Sequence, residues 1–352
     1  MPKQRVAVAM SGGVDSSLAA FLLKEDGYEV SGVYMQLWSD PEYDTSDLEC
    51  TCQLLGVPLY KLDLDAEFQS LVIDDFCREY GLGRTPNPCV VCNRHIKFGL
   101  LLDRVFQMGA DYLATGHYAR IEHSPDGYRL LKAIDPSKDQ SYFLYTLGQR
   151  ELQHLLLPVG NHRKVEVRRL AAKLGLPATS RHDSQDVCFI PDNDYRSFIA
   201  KHILLEPGDI VDTNGQVLGK HKGLAQYTVG QRRGLELASN KPLYVIKLDA
   251  TQNRLVVSTK DQLLSNALLV SKLSWVSGRA PKEPINITAK IRYKSPEVTA
   301  TVPFGDGVAE VNFNQPQWAV APGQAIVFYQ GDAVLGGGVI EAAEYGTDTI
   351  FC

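Results

Sequence analysis

Signals of secreted and membrane proteins are missing from this sequence. No segment of its 352 residues approaches the run of roughly 18 apolar residues that a membrane-spanning helix requires. A charged-then-apolar signal peptide is also missing, because Ser11, Gly12 and Gly13 interrupt the first apolar stretch. Seven cysteines, an odd number in a long chain, do not have the pattern of a disulfide framework. We therefore expect a cytosolic protein with no membrane partner, whose cysteines are buried, bind metal or react.

A net positive charge is missing too, which argues against a general nucleic-acid coat protein. The formal net charge is −5, but it is unevenly distributed. Residues 39–79 carry eleven acidic and two basic side chains, and the segment from residue 297 to the carboxyl terminus carries seven acidic side chains and no Lys or Arg. Basic side chains with at most one acidic neighbour collect in residues 82–102, 157–182 and 213–235. Each run could be a solvated helix face, but three of them in an acidic protein favour a local site for a polyanion.

The first 120 residues alternate between apolar strand patterns and helix patterns. The candidate strands are 5–10, 29–37, 58–64 and 111–119, and the candidate helices are near 14–25, 46–55, 66–80 and 95–108. Ser46 and Glu49 indicate a capping box, and Gly56 indicates the end of that helix. This alternation predicts an α/β fold with a mostly parallel sheet, whose ligands bind at the carboxyl ends of the strands.

The turn after the first strand, "SGGVDSS" at 11–17, has the composition of an anion site. Glycines allow the backbone to approach a phosphate, and the N–H groups of the following helix are donors. The serine hydroxyls add donors, and Asp15 can orient Mg²⁺. The turn has neither the lysine of a G-x-x-x-x-G-K-S/T loop nor the pattern G-x-G-x-x-G, so a Walker-type enzyme and a dinucleotide fold are disfavoured. The alternative is a tight turn that binds nothing.

Short strands and turns replace helices after about residue 202. Asn214 and Gly215 form a hairpin turn signal, residues 244–258 have the pattern of another hairpin, and short strands continue from 285 to 330. A chain of 352 residues favours two or three domains. We place them at residues 1–202, 203–265 and 266–352.

The cysteines supply candidate reactive thiols. Cys89 and Cys92 form a C-x-x-C in an acid-free, loop-like segment, and Cys188 follows another basic segment. Because nearby cations lower the pKa of a thiol, the candidate activating residues are Arg94, His95, Lys97, Arg181 and His182, with Asp183 and Asp186 opposing them. A zinc half-site and inert buried thiols are the alternatives for the C-x-x-C. Cys50, Cys52, Cys77 and Cys352 are interpreted as packing residues.

The S-G-G-x-D-S turn resembles the pyrophosphate loop of the ATP pyrophosphatases, which cut ATP between its α and β phosphates. Several motifs in order extend this resemblance: "AMSGGVDS" at 9–16, "NPCVVCN" at 87–93, "ATGHYAR" at 114–120, "KDQSYFLY" at 138–145, "SRHDSQDVCFI" at 180–190 and "GLAQYTVGQRRGL" at 223–235. "KIRYKSP" at 290–296 and "APGQAIVFY" at 321–329 continue it. Over essentially the whole chain, the sequence resembles the tRNA-specific 2-thiouridylases.

The resemblance implies an adenine nucleotide alpha-hydrolase-like catalytic domain, a small β-rich central domain that contacts tRNA and a C-terminal β-barrel. It implies a tRNA-uridine 2-sulfurtransferase that adenylates the 2-oxygen of the wobble uridine in tRNAs for Lys, Glu and Gln and replaces it with sulfur. The implied partners are ATP, Mg²⁺, tRNA and a sulfur donor, either a cysteine desulfurase or a sulfur-relay protein. We expect a monomer.

The resemblance also assigns roles to residues. Cys188 would carry the persulfide, and Cys92 would be its partner as nucleophile or resolving thiol. The residues implied in ATP binding are Ala9, Met10, Ser11, Gly12, Gly13, Val14, Asp15, Ser16, Met35 and Gly116. Those implied to border the target base are Asn87, Pro88 and Cys89. Those implied to lie at the tRNA are His117, Lys138, Asp139, Gln140, Arg292, Tyr293 and Gln324. The "QRRG" at 231–234 is either a further backbone contact or a turn paired with Glu236.

Two departures from the family pattern keep the source of sulfur open. Many bacterial members have Asp where this chain has Cys89, and the segment after Met35 is shorter and lacks adjacent cysteines. Cys89, Cys92 and Cys188 could therefore ligate an iron–sulfur cluster with one open iron that binds sulfide directly. The family pattern favours the persulfide route.

Two other functions compete with this interpretation. One is an ATP pyrophosphatase that acts on a small metabolite, which would need neither the thiols nor an RNA-binding barrel. The other is an RNA-binding module whose cysteines hold a structural metal, which leaves the turn at 11–17 unexplained.

Overall fold

Helices and parallel strands alternate in the first part of the chain, and antiparallel strands dominate the rest. The computed structural model describes residues 3–38, 45–177, 187–190, 194–302 and 307–344. Its strands are β1 Arg5–Ala9, β2 Glu29–Gln36, β3 Leu59–Asp63, β4 Tyr112–Ala114, β5 Ala119–Ser124, β6 Gly127–Lys132, β7 Leu155–Leu156, β8 Gly208–Val211, β9 Val217–His221, β10 Tyr244–Asp249, β11 Arg254–Ser258, β12 Leu264–Trp275, β13 Ile285–Lys290, β14 Val298–Val302, β15 Ala309–Trp318, β16 Ala325–Gln330 and β17 Ala333–Ala343. Its α-helices are α1 Val14–Glu25, α2 Ser46–Leu55, α3 Asp65–Phe68, α4 Asp74–Gly81, α5 Pro88–Cys92, α6 Leu102–Gln107, α7 Gln149–Leu152, α8 Lys164–Lys173 and α9 Tyr195–His202.

The predicted parallel sheet is confirmed. Its strands lie in the order β3-β2-β1-β4-β7, and every pairing is parallel. Alternate residues of β1 pack into different cores, Ala7 and Ala9 on one face and Val6 and Val8 on the other. A sheet covered on both faces requires such a continuous apolar strand. Because β1 and β4 are parallel neighbours, the loops after them meet at the carboxyl edge of the sheet.

The bounds of α1 and α2 match the predicted helices, but the predicted capping box at Ser46 is wrong. Ser46 is already helical, so the N-cap is Thr45, whose hydroxyl donates to Glu49 Oε1 at 3.0 Å. Gly56 ends α2 in the left-handed conformation with φ 60°, as the sequence predicts.

The thiol-bearing segment is helical and not a loop. Asn87 caps α5 and Pro88 occupies its first turn, a position in which proline's missing N–H costs no hydrogen bond. A π-helical segment, Asn93–Leu101, then joins α5 to α6, so the helix begins well before residue 95. A second π-helical segment, Gln69–Ile73, lies between α3 and α4, in place of the regular helix predicted for 66–80.

The predicted strand 111–119 is two strands in different sheets. β4 belongs to the parallel sheet, whereas β5 pairs with β6 to form a hairpin. This hairpin extends the carboxyl-terminal sheet, since β6 pairs with β17. The approach of a strand two hundred residues downstream is not visible in the local pattern.

The carboxyl-terminal half forms two units of short strands, as the sequence pattern predicts, and all their pairings are antiparallel except that of β8 with β11. The smaller has the strand order β10-β11-β8-β9 and contains the predicted turn at Asn214 and Gly215. The larger runs β12-β15-β14-β13-β16-β17 and closes into a six-stranded barrel through pairing of β12 with β17. The boundaries after residues 202 and 265 remain our proposal. Within the described ranges, no helix combines the length and the apolar character needed to cross a membrane.

Candidate active site

The loop at 11–17 is shaped by its own serines. Ser16 Oγ donates to Gly13 O at 3.1 Å and accepts from Ser11 N at 3.2 Å, and Ser17 Oγ donates to Gly13 O at 3.0 Å. Gly12 has φ 72°, a conformation that glycine adopts readily. Gly13 is the N-cap of α1, so the loop leads into a helix amino terminus, where backbone N–H groups favour an anion.

Gly116 brings the loop after β4 against this turn. A Cβ at this position would lie 2.7 Å from Ser16 N and 2.8 Å from the carbonyl carbon of Asp15, both backbone atoms. Contacts this short do not occur, so only glycine permits the approach. Gly116 and residues 11–16 therefore lie together, as the sequence resemblance implies.

The remaining residues implied in ATP binding lie at the same edge of the sheet. Met10 N donates to Val33 O at 2.8 Å, which fixes the loop to β2. Ala9, Met10 and Val14 are buried and support the loop from the core. Met35, in β2, is partly exposed and packs between two cores. The structure thus groups these residues, while their contact with nucleotide stays a prediction.

Asp15 is held by residues that sequence reasoning missed. Lys164 Nζ lies 2.8 Å from each carboxylate oxygen, and Tyr118 Oη donates to Oδ1 at 2.7 Å. Lys164 is 149 positions away in the chain, and its only sequence signal is its place in the basic segment 157–182. A magnesium ion bound by Asp15 would have to exchange these partners.

Cys89 and Cys92 lie on the helix that starts at the Asn87 cap, whose side chain accepts from Val90 N at 3.4 Å. Val90 packs into the same core as Ala9, so this helix is anchored beside the strand that carries the loop at 11–17. Cys92 is buried and Cys89 is partly buried.

Cys188 joins this pair from a distant part of the chain. Phe189 and Ile190 are buried in the same hydrophobic cluster as Cys92. Cys188 itself is exposed, and Cys92 and Cys89 are near enough to raise the pKa of its thiol. Arg181, His182, Asp183 and Asp186 lie outside the described residues. The cysteines predicted to act together are therefore brought together.

One of the candidate cations, Lys97, does lower the pKa of the thiols, but burial outweighs it, so the expected net lowering is not found. Burial raises the pKa of Cys92, and the nearby thiol of Cys89 raises it further. Burial also raises the pKa of Cys89. The protein packed around Cys188 raises its pKa although the side chain reaches solvent. The resting state is therefore three neutral thiols, since desolvation disfavours the charged form.

Lys97 is the cation that opposes this effect at all three thiols. It lies five residues after Cys92 within the π-helical segment, where hydrogen bonds join residues five apart. In a regular α-helix, residues five apart point to different sides. Lys97 is near enough to lower the pKa of Cys92 from this position in the π-helical segment. Arg94 and His95 are exposed and do not have this effect on the thiols.

His117 lies in the loop after β4 and packs against the thiol helix, the continuous helical segment from Pro88 to Leu101 that carries Cys89 and Cys92. Its ring is 5.7 Å from that of Phe98, and Nδ1 lies 2.7 Å from Thr115 Oγ1. Burial and Lys97 hold the pKa of His117 well below its ordinary value, so the imidazole is neutral near pH 7. It offers hydrogen bonds and no positive charge.

The segment 138–140 supports the loop after β4. Gln140 Oε1 accepts from Tyr118 N at 2.9 Å, and Gln140 N donates to Tyr118 O at 2.7 Å. Asp139 is buried, and its carboxylate accepts from Ala133 N, Ser141 N and Ser141 Oγ. Its side chain therefore shapes the segment, and only Lys138 and Gln140 are partly exposed.

The barrel contributes Arg292 and Tyr293 to the same region. The Tyr293 ring lies 4.5 Å from that of Phe143, whose carbonyl accepts from Asn93 Nδ2 at 3.1 Å. Arg292 donates to Ala319 O. The side-chain oxygen of Asn93, next to Cys92, is buried with no hydrogen-bond partner.

Gln324 holds the start of the thiol helix. Its Nε2 lies 2.9 Å from Thr85 O and 3.3 Å from Pro86 O. Thr85 N donates to Pro322 O at 2.8 Å, and a Cβ on Gly323 would lie 2.9 Å from Thr85 N. The residue implied to contact tRNA is thus also a clamp between the barrel and the segment before Cys89.

Several other candidates are placed differently from the prediction. Glu236 pairs with Lys222 at 3.1 Å, which does not support the alternative of a "QRRG" turn paired with Glu236, and Arg232 and Arg233 are exposed. Cys52 and Cys77 are buried as predicted, but Cys50 is exposed and is not a packing residue. Cys352 lies outside the described residues.

The thiols do not fit a cluster site as they stand. Among the described residues, which include Cys89, Cys92 and Cys188, no three His, Cys, Asp or Glu side chains are grouped to hold a metal ion. All three cysteines are free thiols.

Three family models match successive parts of the chain. The tRNA methyl transferase HUP domain matches residues 4–192, the tRNA methyl transferase PRC-barrel domain matches 196–259, and the aminomethyltransferase beta-barrel domain matches 265–340. These correspond to the parallel sheet, the small four-stranded unit and the closed barrel. The first alone covers more than half of the chain.

Curated relatives match over nearly the full length. tRNA-specific 2-thiouridylase MnmA 1 of Caldanaerobacter subterraneus subsp. tengcongensis is 47% identical over 355 residues, covering 96% of this chain and 98% of that protein. The MnmA of Geotalea uraniireducens is 48% identical, covering 97% of this chain and 96% of that protein. The MnmA of Magnetococcus marinus is 49% identical, covering 96% and 99%.

Proposed function

The chain belongs to the family of tRNA-specific 2-thiouridylases, and from this premise we propose how its residues carry out the reaction. It catalyses ATP-dependent thiolation of tRNA. The proposed target is the 2-oxygen of the wobble uridine in tRNAs for Lys, Glu and Gln. Two packing contacts support the proposal: Val90 of the Cys92 helix shares a core with Ala9, which precedes the loop at 11–17, and Phe189 and Ile190, next to Cys188, share a core with Cys92.

The first step is adenylation of the base. The uracil 2-oxygen attacks the α-phosphate of ATP, and pyrophosphate leaves. This step is needed because a carbonyl oxygen is a poor leaving group. The glycine-rich loop and the amino terminus of α1 hold the pyrophosphate portion, and Asp15 is the proposed ligand of Mg²⁺, which would neutralise phosphate charge.

The second step transfers sulfur. The terminal sulfur of a persulfide on Cys188 attacks C2, and AMP departs with the original oxygen. Cys92 then attacks the sulfur of Cys188, which breaks the S–S bond, leaves sulfur on the base and forms a Cys92–Cys188 disulfide. A dithiol reductant restores the thiols with two electrons, and a cysteine desulfurase or relay protein reloads Cys188.

The positions of the two cysteines match these roles. Cys188 is exposed, so a protein donor can reach it, whereas Cys92 is buried beside the base-binding segment 87–89. The exposed basic residues Arg94, Arg232 and Arg233 are proposed to hold the tRNA backbone, and the target base must leave the anticodon stack to reach the thiols.

Mass analysis of hydrolysed tRNA tests the assignment. Cys188→Ala should abolish 2-thiouridine while ATP-dependent pyrophosphate release with tRNA persists, and Cys92→Ala should do the same. Cys50→Ala, an exposed cysteine on α2, is the matched control and should thiolate normally. Normal thiolation by Cys188→Ala would refute the relay, and unchanged 2-thiouridine in cells lacking the protein would refute the activity.

A further inference from the structure

The burial of Lys164 and its position in a helix are both unusual for lysine. It is 7% exposed, although lysine is almost never fully buried without a partner. It also occupies the first turn of α8, where the helix dipole disfavours positive charge. Arg163, Arg168, Arg169 and Lys173, from the same basic segment, are exposed. Local conflicts of this kind are expected at functional sites.

The fold directs Lys164 to the loop at 11–17. α8 packs alongside α1 through one shared core, which includes Val14 and Leu18 from α1 and Val167 from α8. The amino termini of the two helices therefore lie side by side. The Lys164 backbone N–H donates to Asp135 Oδ2 at 2.9 Å, which fixes the start of α8.

The ammonium group pairs with the carboxylate of Asp15 at the loop. Nζ lies 2.8 Å from both oxygens of Asp15 and 5.6 Å from the centre of the Tyr118 ring. Asp15 is partly exposed, with 30% of its side chain accessible, so this ion pair lies at the opening of the loop. Without the lysine, the carboxylate would repel an entering triphosphate.

The loop sequence contains no positively charged side chain to balance a triphosphate, and Lys164 supplies one. The loop has no lysine of its own, yet its proposed ligand carries several negative charges. Two adjacent helix amino termini each supply a partial positive charge, and Lys164 supplies a full one. A lysine delivered from α8 is therefore the counterpart of the lysine that Walker-type loops contain.

We propose that Lys164 is a phosphate-binding residue of the nucleotide site. In the structure its ammonium group neutralises Asp15, and when ATP binds it contacts the triphosphate and keeps that contact as pyrophosphate leaves. This inference rests on the proposed function, which supplies ATP as the ligand.

Calorimetric titration with ATP, AMP and adenosine tests it without tRNA or sulfur donor, in Mg²⁺ and in EDTA. Lys164→Gln should weaken ATP binding at least tenfold, about 1.4 kcal/mol, and leave AMP and adenosine within twofold. Lys173→Gln, an exposed lysine in the last turn of the same helix, should bind ATP like the unaltered protein. Equal weakening of ATP, AMP and adenosine, or no weakening at all, would overturn the proposal.

A second comparison covers the case in which Lys164→Gln fails to fold because Asp15 is left unpaired. Asp15→Asn and the double variant Asp15→Asn, Lys164→Gln contain no unpaired carboxylate. If Lys164 binds phosphate, the double variant should bind ATP at least tenfold more weakly than Asp15→Asn. If the lysine only balances Asp15, the two should bind equally, which would refute the inference. Failure of the unaltered protein to bind ATP would instead refute the proposed function.

Discussion

Substitution of Gly116 by alanine should impair nucleotide binding more than folding. The new Cβ would lie 2.7 Å from Ser16 N, whereas an ordinary contact begins at 3.4 Å, so the two loops must separate by about 0.7 Å. Both opposing atoms belong to the backbone, so no side-chain rotation relieves the clash. A misplacement on the order of 1 Å can cost about 100-fold in rate. We expect kcat/KM for ATP to fall about 10- to 100-fold, or about 1.4 to 2.8 kcal/mol.

Pyrophosphate release in the presence of tRNA and thermal unfolding measure the two effects separately. Overpacking costs about 1 to 3 kcal/mol of stability, so the variant should still fold. Gly81→Ala is the matched control, because a Cβ there meets nothing within 4 Å. It should keep full activity and unfold at the same or a slightly higher temperature. If Gly116→Ala uses ATP like the unaltered protein, the close approach of the two loops does not form the nucleotide site.

Three further predictions follow from the thiol helix and its neighbours. Because the pKa of Cys188 is raised above the ordinary thiol value, its reaction with iodoacetamide should become about tenfold faster for each pH unit between 7 and 9. Lys97→Met should slow that reaction at pH 8. A rate that levels off below pH 8 would contradict this prediction. Asn87→Ala removes the cap of α5 and should lower the free energy of unfolding by about 1 kcal/mol in urea titration, whereas an unchanged midpoint would show the cap to be unimportant. Gln324→Ala removes the hydrogen bond that holds the segment before Cys89, so it should lower kcat for thiolation. ATP binding measured by calorimetry should be unchanged. If only the KM for tRNA changes, this side chain acts only at the RNA.

The neutral state of the thiols affects their reactivity at rest. Burial raises the pKa of Cys92 and Cys89, and Lys97 opposes it. A thiol that is neutral at rest is protected from unspecific oxidation, because the thiolate is the reactive form.

The sequence by itself determined the secondary-structure elements that depend on interactions between neighbouring residues. The bounds of α1 follow from Gly12, Gly13 and the helix pattern after them, and Gly56 marks the end of α2. Alternation of strand and helix patterns was enough to predict a parallel sheet, because two parallel neighbours need a crossover between them. The ordered motifs were enough to indicate the family.

Only the tertiary structure decided the features that depend on distant contacts or on burial. Lys164 reaches Asp15 from 149 residues away because α8 packs on α1, which no local spacing reveals. The raised thiol pKa values arise because desolvation outweighs the nearby cation, and desolvation depends on the whole surrounding fold. The π-helix that contains Lys97 adds one residue to a turn, a change that apolar periodicity does not record. Local rules thus placed the backbone elements, while the environment of each charged or reactive group was set by residues far along the chain.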